Sequence, residues 1–260
     1  MNFINDIKDG FRRRRLWKRL AELELKSRYQ GTFIGVFWVI LTLMLKVGML
    51  SLIYSMVLDK DIKEYVLFLA IGVLTWNFIS AAIINSSSIF IKAGNFLQQM
   101  KLPHSIFVFQ NIYKESIILF LYQLFAIPLV LFIKGVDFVS MVWLWSLLGY
   151  GIIILNAFFA SMWLGWLSVR FRDVQPLLSS VVMILFLVTP VLWPPPEKFA
   201  DSLYFVLNPF FHLLELIRAP ILTNEIPYMS FIVSTAFLLI NILICALFYN
   251  KVKDRLVLWL

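Results

Sequence analysis

Six long runs of almost uninterrupted apolar residues constrain this chain more than any other feature. They cover about 33–58, 65–91, 106 or 117 to 133, 138–169, 176–193 and 228–249, the third start being blurred by Lys114 and Glu115. A helix needs about 20 apolar residues to cross the roughly 30 Å hydrocarbon core. The runs are solidly apolar rather than alternating, so they predict spanning helices and not the strands of a barrel. Composition agrees: 61% of the 260 residues are hydrophobic, 15% are charged, and mean hydropathy is +0.86. An ordinary soluble domain carries about 45–50% apolar and about 25% charged residues. The chain therefore reads as all-α, a single polytopic membrane domain over 1–260 with six spans between 33 and 249. A cytosolic enzyme, a transcription factor and a secreted module are excluded.

Charge placement orients the spans. The segments 1–32, 92–105, 170–175 and 250–260 hold 16 Lys/Arg, and the loops 59–64, 134–137 and 194–227 hold five against eight acids. Basic residues stay on the cytoplasmic side, which puts both termini there. The net charge of +8 is therefore a membrane-surface signal, meeting anionic lipid or an acidic partner, and not a nucleic-acid one. The single cysteine, Cys245, permits neither an intrachain disulfide nor a cysteine metal site and reads as a small packing residue. No apolar stretch with a small-residue cleavage site follows the basic N-terminus closely, so no cleaved signal peptide is expected.

Three segments are neither span nor plain loop. Residues 11–27 predict an amphipathic helix lying in the interface, with Leu16, Trp17, Leu20 and Leu23 on one stripe and Arg15, Lys18, Arg19, Glu22 and Lys26 opposite. It is open whether this is a basic cluster that sets topology or a docking surface for a cytosolic partner. Loop 92–105 carries Phe96, Leu97 and Met100 before Pro103 and fits either a short cytoplasmic helix or an ordinary connection. Segment 194–227 opens with Pro194, Pro195 and Pro196, which cannot continue a helix. Its two short apolar pieces, 203–207 and 210–217, are broken by Asn208 and Pro209 and suggest re-entrant or interfacial helices.

Lys46 lies near the middle of the first span, where a charge costs about 2.5–3.5 kcal/mol and normally meets a cavity or a partner. Glu115 is at a compatible depth if span three starts early, so a structural Lys–Glu pair is one reading. The other is a pathway-lining face, since Trp38, Thr42 and Lys46 drift only about 80° around the helix. Aromatic residues make up 17% of the chain. Trp76, Trp143, Trp193 and Trp259 read as interfacial belts, whereas Trp38, Trp163 and Trp166 lie deeper and are compatible with stacking on sugars. The sequence contains no phosphate-binding glycine loop, no H-E-x-x-H and no serine elbow. The chain thus carries no metal site or cofactor of its own, and ATP chemistry would have to come from another chain.

Four motifs in order resemble the permease subunit of ABC polysaccharide exporters, the family that exports O-antigens, capsules and teichoic acids. They are Arg28-Tyr29-Gln30-Gly31 with Ile34-Gly35 and Trp38; Gly72 with Trp76 and Phe78; Phe171-Arg172-Asp173; and Thr189-Pro190-Val191 with Pro194, Asn208-Pro209 and Arg218. Ile34 stands where the family usually has Leu. The resemblance implies a homodimer carrying two ATP-binding cassette subunits, which bind ATP and Mg. The complex would move a polyprenyl-diphosphate-linked polysaccharide across a bacterial inner membrane. It implies a substrate path of Arg28, Tyr29, Gly31, Gly35, Trp38, Thr42 and Lys46, in which Arg28 contacts phosphate. ATPase docking would use Arg15, Lys18, Arg19, Phe96, Leu97 and Met100, and an outer gate would use Pro194, Pro195, Asn208, Pro209 and Arg218. A drug- or lipid-exporting permease is the alternative within transport. A membrane-embedded enzyme of lipid-linked sugar metabolism is the alternative class, and it lacks a visible catalytic constellation.

Overall fold

A computed structural model of the chain describes residues 2–195, 202–253 and 255–260. Pro196 and positions 197–201 of the outer segment, and Asp254 of the tail, lie outside the described residues. The described residues form helices joined by short turns. Two helices outside the candidate spans come first, α1 (Phe3–Arg12) and α2 (Arg14–Tyr29). Then follow α3 (Trp38–Leu58), α4 (Ile62–Lys92), short α5 (Gly94–Gln99), α6 (Ser105–Lys134), α7 (Trp143–Arg170) and α8 (Val174–Val188). After α8 come α9 (Leu203–Val206), α10 (Pro209–Leu222), α11 (Tyr228–Val252) and α12 (Leu256–Trp259). Five stretches are long and apolar enough to cross a membrane: Gly35–Leu58, Ile62–Lys92, Ser105–Lys134, Trp143–Arg170 and Tyr228–Val252. The remaining apolar run forms α8, whose 15 residues span only about 22 Å at 1.5 Å per residue.

The boundaries follow from local chemistry. Asp61 caps α4 by accepting the Lys63 N–H at 2.7 Å, and Glu64 in the first turn and Lys92 in the last complement the helix dipole. Ser105 begins α6, the earlier of the two starts the sequence allows, so Lys114 and Glu115 lie inside that helix. Asn208 caps α10 through the N–H groups of Phe210 (3.0 Å) and Phe211 (3.3 Å), and Pro209 takes the first helical position, where no N–H is needed.

Helix α4 is the axis of the packing, contacting α3, α6, α7, α8 and α10. Small residues let backbones approach, as expected where lipid offers no hydrophobic drive between helices. The Ser161 hydroxyl of α7 donates to the Ala82 carbonyl of α4 at 3.1 Å, and Gly165 of α7 lies under the Phe90 ring. Trp76, read from sequence as an interfacial belt residue, is instead buried at mid-helix between Phe186 and Phe210. Its position on α4 faces the centre of the bundle, where aromatic packing outweighs the interface preference.

The N-terminal helix also differs from its expected orientation. Trp17, Ala21 and Leu25 are the buried stripe, while Leu16 and Leu23 are exposed. Trp17 stacks on Phe109 (ring centroids 5.6 Å apart) and meets Tyr113 edge-on (5.3 Å). The small Ala21, one turn on, allows α2 to lie against α6. A break at Arg13 separates α1, whose buried Asp6 accepts the His104 and Ser105 N–H groups at 3.0 Å each and the Tyr249 hydroxyl at 3.3 Å. Thus α1, the start of α6 and the end of α11 meet at one end, with α12 against α5 and α7. At the other end Lys134 donates to the Leu222 carbonyl, and Asn224 links to Phe138 and Ser140.

Candidate functional site

The connection from α2 to α3 builds a cavity. After Tyr29 the chain turns through Gly31 (φ +81°) and Gly35 (φ +60°), left-handed conformations that L side chains rarely adopt, and enters α3 through a 3₁₀ turn at Gly35–Phe37. This turn lays the end of α2 beside the start of α3 and the middle of α6. Between them and α4 lies a cavity of about 460 Å³, within the range of small-ligand sites. Arg28, Tyr29 and Thr32 line it from α2 and the turn, Trp38, Val39 and Thr42 from α3, Asn77, Phe78 and Ala81 from α4, and Glu115, Ile118, Leu119 and Tyr122 from α6.

Four residues named from the sequence, Arg28, Tyr29, Trp38 and Thr42, therefore share one wall. The Arg28 guanidinium lies 5.7 Å from the Tyr29 ring centre. Gly31 does not line this cavity, and Gly35 borders a separate open groove beside Lys26 and Tyr29; both serve the turn. Lys46 is turned away: its ammonium sits 5.5 Å from the Phe186 ring centre on α8, and it forms no ion pair with Glu115. Of the two readings the sequence left open, the Lys46–Glu115 pair is not formed: Lys46 turns to Phe186 of α8, and Glu115 to Asn85 and Lys114.

Asn77 and Tyr122 are the cavity residues that sequence reasoning missed, and Glu115, weighed there only as a partner for Lys46, joins them in the wall. The Glu115 Oε1 accepts from the Asn85 amide at 2.9 Å and lies 3.3 Å from the Lys114 ammonium. Lys114 also bonds Glu24 Oε1 of α2 at 2.9 Å, and Gln110 donates to Glu24 Oε2 at 3.1 Å. Burial raises the Glu24 carboxyl, but the hydrogen bond and charge of Lys114, with Gln110 and Lys92, together hold it below the ordinary carboxylate range. One buried lysine thus ties the interfacial helix to an acid in the cavity wall. The signal in the sequence was the adjacent Lys114–Glu115 pair, which no apolar span should carry without a partner.

Arg218, assigned to the gate, is buried in α10 and holds the non-helical stretch that follows α8. It donates to the Pro190 carbonyl at 3.1 Å, pairs with Glu215 at 3.3 Å and stacks 3.8 Å from the Phe68 ring centre. Gly72 makes the room: a Cβ there would fall 2.2 Å from Arg218 Nη2. The Tyr65 hydroxyl donates to the Leu192 carbonyl, and the Asn208 amide reaches Thr189 at 3.3 Å. Pro194 borders a cavity of about 360 Å³ beside Lys60, Glu64 and Lys134, and Pro195 is half-buried next to it.

On the opposite surface Arg15, Lys18 and Arg19 are exposed, as are Phe96 of the short helix α5 and Met100, which caps its end. Leu97, expected on that docking surface, is turned into the core, because α5 packs one side against α4 and α12.

The family described as "ABC-2 type transporter" matches residues 15–222. Among curated proteins, an "O-antigen export system permease protein RfbA" of Klebsiella pneumoniae is 29% identical over 248 residues, 91% of each chain. A second Klebsiella pneumoniae protein of that name is 28% identical, covering 70% of this chain and 71% of its own. One from Myxococcus xanthus is 25% identical, covering 86% of each.

Proposed function

The chain belongs to the ABC-2 type transporter family, and from that premise we propose that it is the channel subunit of an exporter of polyprenyl-diphosphate-linked polysaccharide of the O-antigen kind. In this reading it works in a bacterial inner membrane as a homodimer, with two ATP-binding cassette subunits supplying the nucleotide chemistry. The observation that carries it is the cavity in which Arg28, Tyr29, Trp38 and Thr42 converge. A guanidinium fits a diphosphate bidentately, and the aromatic faces around it suit a sugar.

The rest of the architecture is consistent. The segments that hold 16 Lys/Arg gather at one end, where α1, α5 and α12 lie; this supports cytoplasmic termini. Because α7 ends there and α11 begins at the opposite end, α8 with the stretch 189–195 makes the sixth crossing in this reading. Helices α9 and α10 then form the outer gate, held by Arg218, Asn208 and the prolines. Arg15, Lys18, Arg19, Phe96 and Met100 present the docking face for the ATPase.

The test is ATP hydrolysis by purified protein in lipid nanodiscs. The isolated chain should hydrolyse none, and co-purification with an ATP-binding cassette subunit from the same cell should give activity stimulated by lipid-linked glycan. Hydrolysis by the isolated chain would refute the assignment.

A further inference from the structure

Glu115 is an odd residue to find in the wall of a site for an anion. It is 3% exposed and lines the same cavity as Arg28. Its Oε1 is taken twice, by the Asn85 amide at 2.9 Å and the Lys114 ammonium at 3.3 Å. Its Oε2 receives no hydrogen bond from any described residue. An ionised carboxylate is an acceptor only, so the guest it suits must bring a donor. A diphosphate brings none near neutral pH and is repelled by the carboxylate. A sugar hydroxyl brings one, and a charge-assisted O–H···O⁻ bond is short and strong.

We propose that Glu115 Oε2, with Asn77 and Tyr122 lining the same cavity, forms a subsite that reads hydroxyl groups of the first sugar attached to the lipid diphosphate. Arg28 then holds the phosphate and Trp38 offers a face for the ring. The proposal rests on the reading of this cavity as a lipid-diphosphate site and adds to it a reason for substrate choice: the chain prefers a glycosylated carrier over the empty one. A site built to bond a hydroxyl discriminates strongly against the analogue that lacks it, because the acceptor is then left without a partner. The empty carrier has one more ionisable oxygen on its terminal phosphate than the glycosylated one, so the same carboxylate repels it more, and attraction and repulsion work in one direction.

The experiment measures binding of two probes to the full chain in lipid nanodiscs: polyprenyl diphosphate, and polyprenyl diphosphate bearing one hexose. The wild type should bind the hexose-bearing probe at least about tenfold more tightly, the range of a hydrogen bond to a charged group. Glu115→Gln should lose most of that preference while binding the bare probe at least as well, since removing a carboxylate does not weaken an anion. Asn77→Ala, which leaves the Lys114 network untouched, should lose the preference severalfold and serves if Glu115→Gln folds poorly. An unchanged preference in both variants would overturn the subsite. Equal weakening of both probes in Glu115→Gln would also overturn it, making Glu115 a support for Lys114 alone. Failure of the wild type to bind either probe would instead overturn the reading of the cavity as a lipid-diphosphate site.

Discussion

Arg28 hangs from the last turn of α2, where the chain is about to leave the membrane surface for the first span. Replacing it with Ala should raise the KM for lipid-linked glycan in stimulated ATP hydrolysis about tenfold or more, the worth of one charged hydrogen bond. Arg28→Lys should recover only part, because an ammonium cannot make the two parallel bonds of a guanidinium. A second residue prediction concerns packing. Gly72→Ala places a methyl 2.2 Å from Arg218 Nη2, whereas Gly48→Ala meets nothing within 4 Å. The first should cost about 1–3 kcal/mol by overpacking, read as a lower thermal unfolding midpoint in detergent, and the second should leave the midpoint unchanged or slightly higher. Arg28, Tyr29, Trp38 and Thr42, named through the family resemblance, line one cavity because they lie close together in sequence and one local turn brings them together. Glu115, Asn77 and Tyr122 come from two other helices. Depth along a helix is legible in the sequence but the facing of one long side chain across to another helix is not, which is why a Lys46–Glu115 pair and a pathway-lining Lys46 both stood open.

Among elements, α2 is the one whose attachment depends on charge. The Glu24–Lys114 bond at 2.9 Å joins it to α6. The Glu24 carboxyl is held below its ordinary value, so its contribution is fully present above the unfolded value of 4.5 and is lost as pH falls through the lower, folded value. Hydrogen-exchange protection of α2 should therefore decline below about pH 4.5 in the wild type. Glu24→Gln should start from weaker protection and show a flatter pH profile; an unchanged profile would mean that Trp17 and Leu25 hold the helix without the ion pair. The sequence showed that this segment is an amphipathic helix and missed its rotation, because the stripe Trp17, Ala21, Leu25 owes its burial to the small Ala21 fitting against α6. Apolar counting could not find that fit. Counting likewise gave α8 the length of a span, while Pro190 and the clamp of Arg218 end the helix at Val188.

At the scale of the molecule, five candidate spans and the meeting of α1, α5 and α12 at one end set a testable topology. Cys245 is the only cysteine, and it is buried with its thiol on the Phe159 carbonyl, so a Cys245→Ala background suits single-cysteine labelling. Lys60→Cys should react with an impermeant maleimide added outside the cell, and Gln99→Cys only after the membrane is opened. The reverse pattern would invert the orientation and the proposed direction of transport. Export of a lipid-linked glycan is read out as surface glycan in a strain lacking this chain. Surface O-antigen-type polysaccharide should disappear, lipid-linked glycan should accumulate on the cytoplasmic side, and the wild-type chain should restore display where Arg28→Ala does not. Undiminished surface glycan in the deletion strain would contradict export by this chain.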